Sequence, residues 1–70
     1  MRRLLDKLRA IAVRHNCLAD YDDFFGKYVI FTSDDGENAA VYEDVRKAVE
    51  DSNDHFDEVV RTLDAVEIWF

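Results

Sequence analysis

The run Tyr28-Val29-Ile30-Phe31-Thr32 restricts most strongly what this chain can fold into. It is a block of aromatic and β-branched residues, bracketed by Gly26-Lys27 and by Ser33-Asp34-Asp35-Gly36, and it reads as a buried or half-buried β-strand. A strand needs a partner strand and a cover. The flanking segments supply both: an amphipathic helix before it, one or two helices after it, and a closing apolar run, Val66-Glu67-Ile68-Trp69-Phe70.

Leu4, Leu8, Ile11, His15 and Leu18 recur at helical spacing, with Leu5, Ala12 and Ala19 on the same side. At 100° per residue they form one stripe, which predicts a helix from Arg2 to Ala19. Arg2 and Arg9 lie on one side of the stripe, and Arg3, Lys7 and Arg14 on the other. Ala10, Val13 and Cys17 form a smaller strip opposite, suited to a homodimer contact. Residues 20–26 read as a connector, with Gly26 supplying the conformation that starts the strand.

Beyond Thr32 two readings compete. Asp35-Gly36 is a hairpin signal and would lead to a short strand at 38–42 and a helix from Asp44 to Asp51. Alternatively Asp34 and Glu37 form an acidic capping box, and a helix begins near Glu37 and carries Val41, Val45, Ala48 and Val49 on one face. The Asp-Gly pair tips the reading towards the hairpin. Ser52-Asn53-Asp54 then breaks the helix. Phe56, Val59, Val60 and Leu63 repeat at helical spacing behind an Asp54 cap, predicting a second short helix. Val66, Ile68 and Phe70 alternate with Glu67 and Trp69, a terminal strand to pair with Tyr28–Thr32.

The expected architecture is therefore one α+β domain over residues 1–70. A small antiparallel sheet of two or three strands is covered by the N-terminal amphipathic helix and one or two further helices. Leu4, Leu8, Ile11, Leu18, Phe25, Val29, Phe31, Val45, Val49, Val60, Leu63 and Ile68 are the expected core. With 70 residues, such a domain buries only about 60% of its unfolded surface. Its 49% hydrophobic content is nonetheless ample for a packed interior rather than disorder.

Charge narrows the class of function. Residues 1–15 hold five cations against Asp6, a balance of +4, whereas residues 16–70 hold four cations against fifteen carboxylates, a balance of −11. A basic helix is attached to an acidic body. Such a body repels nucleic acid and attracts basic protein surfaces. The acids gather in three clusters: Asp20, Asp22 and Asp23; Asp34, Asp35 and Glu37; and Glu50, Asp51, Asp54, Asp57 and Glu58. Carboxylates three or four residues apart on a helix stand about 5–6 Å from each other, a spacing close to that of phosphates along a strand. The plainer role of each cluster is to keep a small protein soluble.

Other chemistry finds little footing. His15, Cys17 and His55 would need a recruited carboxylate to complete a zinc site, and His15 reads better as a core-edge residue bonded to an acid. Neither acidic stretch fits a calcium loop: with Gly36 at the sixth position Phe31 falls at the first, and with Asp51 first Phe56 falls where Gly is required. No activated nucleophile or phosphate cradle accompanies the acid pairs, so no enzyme and no cofactor are expected. Direct nucleic-acid binding through the basic first helix is the weaker alternative, because its cations flank an apolar stripe as ordinary snorkelling residues do. One cysteine points to a reducing, cytoplasmic compartment, and no run reaches the ~18–20 apolar residues of a membrane span. Residues 1–19 also have the composition of a transit peptide, although their apolar positions already serve a core face.

In size, charge and lack of catalytic motif the chain resembles the small acidic single-domain proteins that phages encode against host defences, including nucleic-acid-mimicking anti-restriction and anti-CRISPR inhibitors. The resemblance implies a viral protein acting in the host cytoplasm on a nucleic-acid-handling protein. It assigns no residue roles, and the basic first helix departs from the most uniformly acidic of those proteins. A self-associating structural or adaptor subunit is the alternative, either through Ala10, Val13 and Cys17 or by edge pairing of the C-terminal strand.

Overall fold

The computed structural model describes residues 3–70. The elements are α1 (Arg3–Arg14), β1 (Ala19–Asp22), β2 (Lys27–Phe31), α2 (Asp35–Glu50), β3 (Glu58–Arg61) and β4 (Ala65–Trp69). The fold is α+β, with two helices and a four-stranded antiparallel sheet of order β1-β2-β4-β3.

Helix α1 is shorter than its apolar stripe implies; its expected start at Arg2 lies outside the described residues. It ends because Asn16 adopts φ 58°, a left-handed conformation that Asn tolerates better than most residues. The Asn16 N–H donates to the Val13 carbonyl at 3.0 Å and the Cys17 N–H to the Ala12 carbonyl at 2.8 Å, the paired bonds of a Schellman cap. The chain then reverses into β1, where a helix continuing to Ala19 was expected. In β1 Ala19 and Tyr21 face the core, and Asp20 and Asp22 the other side.

The β1–β2 hairpin is closed by side-chain chemistry. Asp22 Oδ1 accepts the N–H groups of Phe24 at 2.9 Å and Phe25 at 3.2 Å, and the Asp22 carbonyl accepts that of Gly26 at 2.8 Å. Gly26 sits at φ 70°, where a side chain would be strained although open space surrounds it.

Residues 33–38 settle the competition at Asp35-Gly36 in favour of the helix, and no strand forms over 38–42. Asp34 is the extended N-cap, and its Oδ1 accepts the Glu37 N–H at 2.8 Å. Glu37 Oε1 reaches back to the Ser33 N–H at 2.7 Å, one residue earlier than in a standard capping box. Asn38, Val41, Val45 and Val49 form the buried stripe of α2.

The expected helix over 54–63 is also overturned: Glu58–Arg61 is a strand. Phe56, Val59, Val60 and Leu63 fit the helical template, but the adjacent β-branched pair Val59-Val60 pairs with β4 instead. The terminal strand forms and pairs with β2 as the alternation implies, Tyr28 opposite Ile68 and Ile30 opposite Val66. It is central in the sheet, bonded on both sides, so edge pairing through it is closed off.

Both helices pack on one face of the sheet. Leu4, Leu8, Ile11 and Ala12 of α1 and Val41, Val45 and Val49 of α2 cluster with Tyr28, Ile30, Val66 and Ile68. Leu8, Ile30 and Ile68 are fully buried, and each such side chain contributes about 1.5–3 kcal/mol. The inward parity of β2 is the reverse of the expected one. Tyr28 and Ile30 point inward, whereas Val29 is buried on the other face and Phe31 is exposed there. Leu18, Phe25 and Leu63, expected in the core, are exposed, and Val60 is half-buried. Each lies just outside an element or on the side away from the helices.

Asn38 is the one polar residue buried in this interior among those described. Its Nδ2 donates to Thr32 Oγ1 at 2.9 Å and to the carbonyls of Thr62 at 3.1 Å and Ala65 at 3.3 Å, and its Oδ1 accepts from Arg61 Nε. It ties the start of α2 to the β3–β4 turn.

Candidate binding surface

Among the described residues no helix packs on the second face of the sheet, and strand register fixes what that face displays. One row runs Asp22, Lys27, Trp69, Glu58 across all four strands, and the next runs Asp20, Val29, Glu67, Val60. Phe31 opposite Ala65 begins a third row, which Leu18 extends through its carbonyl bond from the Phe31 N–H at 2.8 Å. Phe24 and Phe25 stand on the hairpin at the end of the sheet.

The centre of this face is aromatic and braced. Lys27 Nζ lies 4.7 Å from the Trp69 ring centre, 5.5 Å from that of Phe25 and 3.4 Å from Glu67 Oε1. Trp69 Nε1–H donates to the same Glu67 oxygen at 3.1 Å. The Phe25 and Trp69 rings are 6.0 Å apart, and Phe24 meets Phe25 edge-on at 4.9 Å. Phe24 is 87% exposed and Leu18 82% exposed, more apolar surface than a solvated sheet face needs.

The edges are acidic. Asp20 and Asp22 line the β1 edge and Glu58 the β3 edge, with Asp23 and Asp57 beside them in sequence. Three strand spacings separate Asp22 from Glu58, about 14 Å. Among the described residues Lys27 is the cation that register places on this face, and Glu67 already pairs with it.

The three acid clusters are not brought into one surface. Asp34 and Glu37 are engaged at the start of α2, and Asp35 Oδ1 stands 3.6 Å from Arg61 Nη2. The backbone N–H of Ser33 holds the Glu37 carboxyl below its ordinary range. Glu50 and Asp51 lie at the far end of α2, about 24 Å away along a 16-residue helix. Asp54 Oδ2 accepts the Leu4 N–H at 2.8 Å. Asp57 Oδ1 stands 3.4 Å from His55 Nε2. Of the eleven nominated acids, Asp20, Asp22 and Glu58 share the open sheet face.

The other nominated residues have local partners. Arg14 Nη1 reaches Asp44 Oδ2 at 3.0 Å, and His15 Nε2 reaches the same oxygen at 2.7 Å. The His15 hydrogen bond holds the Asp44 carboxyl below the usual carboxylate range, against the opposing effect of burial. Cys17 lies beyond α1 and packs against the core, so it does not continue a helical strip with Ala10 and the exposed Val13. Burial pushes its thiol up, and the charge of Glu37 adds to that. Lys7, Ala10, Arg14 and Lys47 border a groove between the helices.

Sequence reasoning missed Phe24, Phe25, Phe31, Lys27, Glu67 and Trp69 as surface-forming residues. The signal was present at Glu67 and Trp69, which alternate with Val66, Ile68 and Phe70. In β2 both parities are apolar at most positions, so alternation gives no direction.

No family model matches the chain, and no curated protein or solved structure matches it. Among the described residues no helix is long and apolar enough to cross a membrane.

Proposed function

We propose that this protein is a non-enzymatic binding protein that docks a basic protein surface on its open sheet face and acts as an inhibitor or regulator by occupying it. One observation carries this reading: the half-buried Trp69 at the centre of the face and the exposed Phe24, Phe25 and Phe31 around it are flanked by two acidic edges, Asp20 and Asp22 on one side and Glu58 on the other. Aromatic centres with charged rims are the anatomy of protein interfaces. Like charges at both edges oppose stacking of two such faces, so the sign of the rim favours a cationic partner over a second copy.

Interference with a nucleic-acid-handling protein is the form of this reading that the likeness to phage anti-defence proteins implies. The acids flank an aromatic surface instead of forming a phosphate-like row, so mixed apolar and electrostatic docking is favoured over strict mimicry. The test is capture of partners from an extract of the native host on immobilised protein, with wild type set against D20K/E58K, which leaves the Asp22 hairpin bonds in place. Capture of basic proteins at low salt, lost at high salt and lost in the variant, supports the proposal. Capture indifferent to both salt and substitution overturns it.

A further inference from the structure

A cleft of about 290 Å³ opens at the β3 edge of the same face, walled by Asp57, Glu58 and Trp69. Lys27, Phe25 and Glu67 are not among its walls, although all three touch the indole. In the sheet register Trp69 lies between Lys27 and Glu58, so the cleft lies on the β3 side of the ring.

Its walls are held before any ligand arrives. The Asp57 N–H donates to the Trp69 carbonyl at 2.7 Å, and Glu58 is paired directly opposite Trp69. The indole N–H is committed to Glu67, and the Phe25 ring braces the far side. What the indole offers the cleft is apolar π surface, and what the edge offers is two carboxylates. That Lys27 lies 4.7 Å from the ring centre shows that this indole accepts a cation. Lys27 is neutralised by Glu67, and His55 beside Asp57 is exposed, so the carboxylates outweigh the cations around the cleft.

Resting on the sheet-face reading, we infer that this cleft receives an arginine side chain of the partner, its guanidinium stacked on Trp69 and hydrogen-bonded to Glu58 and Asp57. A planar guanidinium can stack on an indole and bond carboxylates at its edge together, whereas a compact, strongly hydrated ammonium does this less well.

Trp69 is the single tryptophan of the chain, so its emission reports on the cleft directly. The experiment titrates the full chain with the capped peptide Ac-Gly-Arg-Gly-NH2 and with its citrulline and lysine counterparts, following Trp69 fluorescence and, in parallel, heat by calorimetry. A saturable emission change is expected with arginine, weaker with lysine and absent with citrulline. Glu58→Gln should weaken the arginine response about tenfold, and D57N/E58Q should remove it. Both positions are exposed, so these variants should stay folded, which circular dichroism checks. Arginine binding seen by calorimetry without an emission change overturns the cleft, as does equal binding of lysine or citrulline, or binding by neither method. In each case partner capture judges the sheet-face reading separately.

Discussion

The Asp54 carboxylate accepts the backbone N–H of Leu4 at 2.8 Å, so an acid fifty residues along the chain caps the first helix. A negative group at a helix N-terminus satisfies an orphan donor and complements the helix dipole. Asp54→Ala should therefore lower stability by about 1 kcal/mol, read as a shift of the urea midpoint, and should leave partner binding unchanged. A loss of binding at unchanged stability would return Asp54 to the interface.

Asn38 carries a larger share. Its amide serves three acceptors, Thr32 after β2 and Thr62 and Ala65 at the β3–β4 turn, and receives Arg61, with the Asn38 side chain itself buried. Asn38→Ala removes these bonds, although the Ala65 carbonyl still accepts from Thr62, and should cost about 2–4 kcal/mol. Thr32→Val removes one of them and should cost about 1 kcal/mol. Equal effects of the two in chemical denaturation would show that Asn38 is not the hub.

Stability should fall in acid through Asp44 and Glu37. Both carboxyls sit below their ordinary values when folded, so each contribution is complete above the unfolded value, about pH 4, and is lost as pH falls through the folded one. Asp44→Asn should flatten the decline in thermal midpoint between about pH 5 and 3, which brackets the unfolded value. An unchanged slope would remove the His15–Asp44 contact from the account.

Cys17 should react slowly. With its thiol pushed up by burial and by Glu37, less thiolate is present at neutral pH. Alkylation by iodoacetamide should run several-fold slower than for a free cysteine, and faster in Glu37→Gln. A rate equal to that of the unfolded chain would contradict this.

The parts of the fold legible in the sequence were those with one dominant period. The stripe of Leu4, Leu8 and Ile11 gave α1, and Val66, Ile68 and Phe70 gave β4 and its partner. Where two periods fitted, the outcome depended on information outside the segment. Phe56, Val59, Val60 and Leu63 satisfy a helix, yet β4 offers Val59-Val60 a ladder. Ala19-Asp20-Tyr21-Asp22 alternates like a strand, but the apolar stripe of α1 runs into it, and the stop is a single left-handed Asn16. Asp35-Gly36 resembles a turn until the Asp34 and Glu37 side chains close on the helix start. For the binding surface, charge was readable from composition. Which acids share a face depends on strand order, and that places Asp22 and Glu58 on opposite edges of one row.

The claim that the open sheet face is the docking surface is tested most directly by amide shift mapping. Uniformly ¹⁵N-labelled protein is titrated with an arginine-rich peptide, and the perturbed residues are placed on the fold. Changes are expected to concentrate at Asp20, Asp22, Lys27, Val29, Glu58, Glu67 and Trp69, with the indole N–H of Trp69 among them. Changes confined to the groove between the helices, at Lys7, Arg14, Asp44 and Lys47, with the sheet face silent, would contradict it.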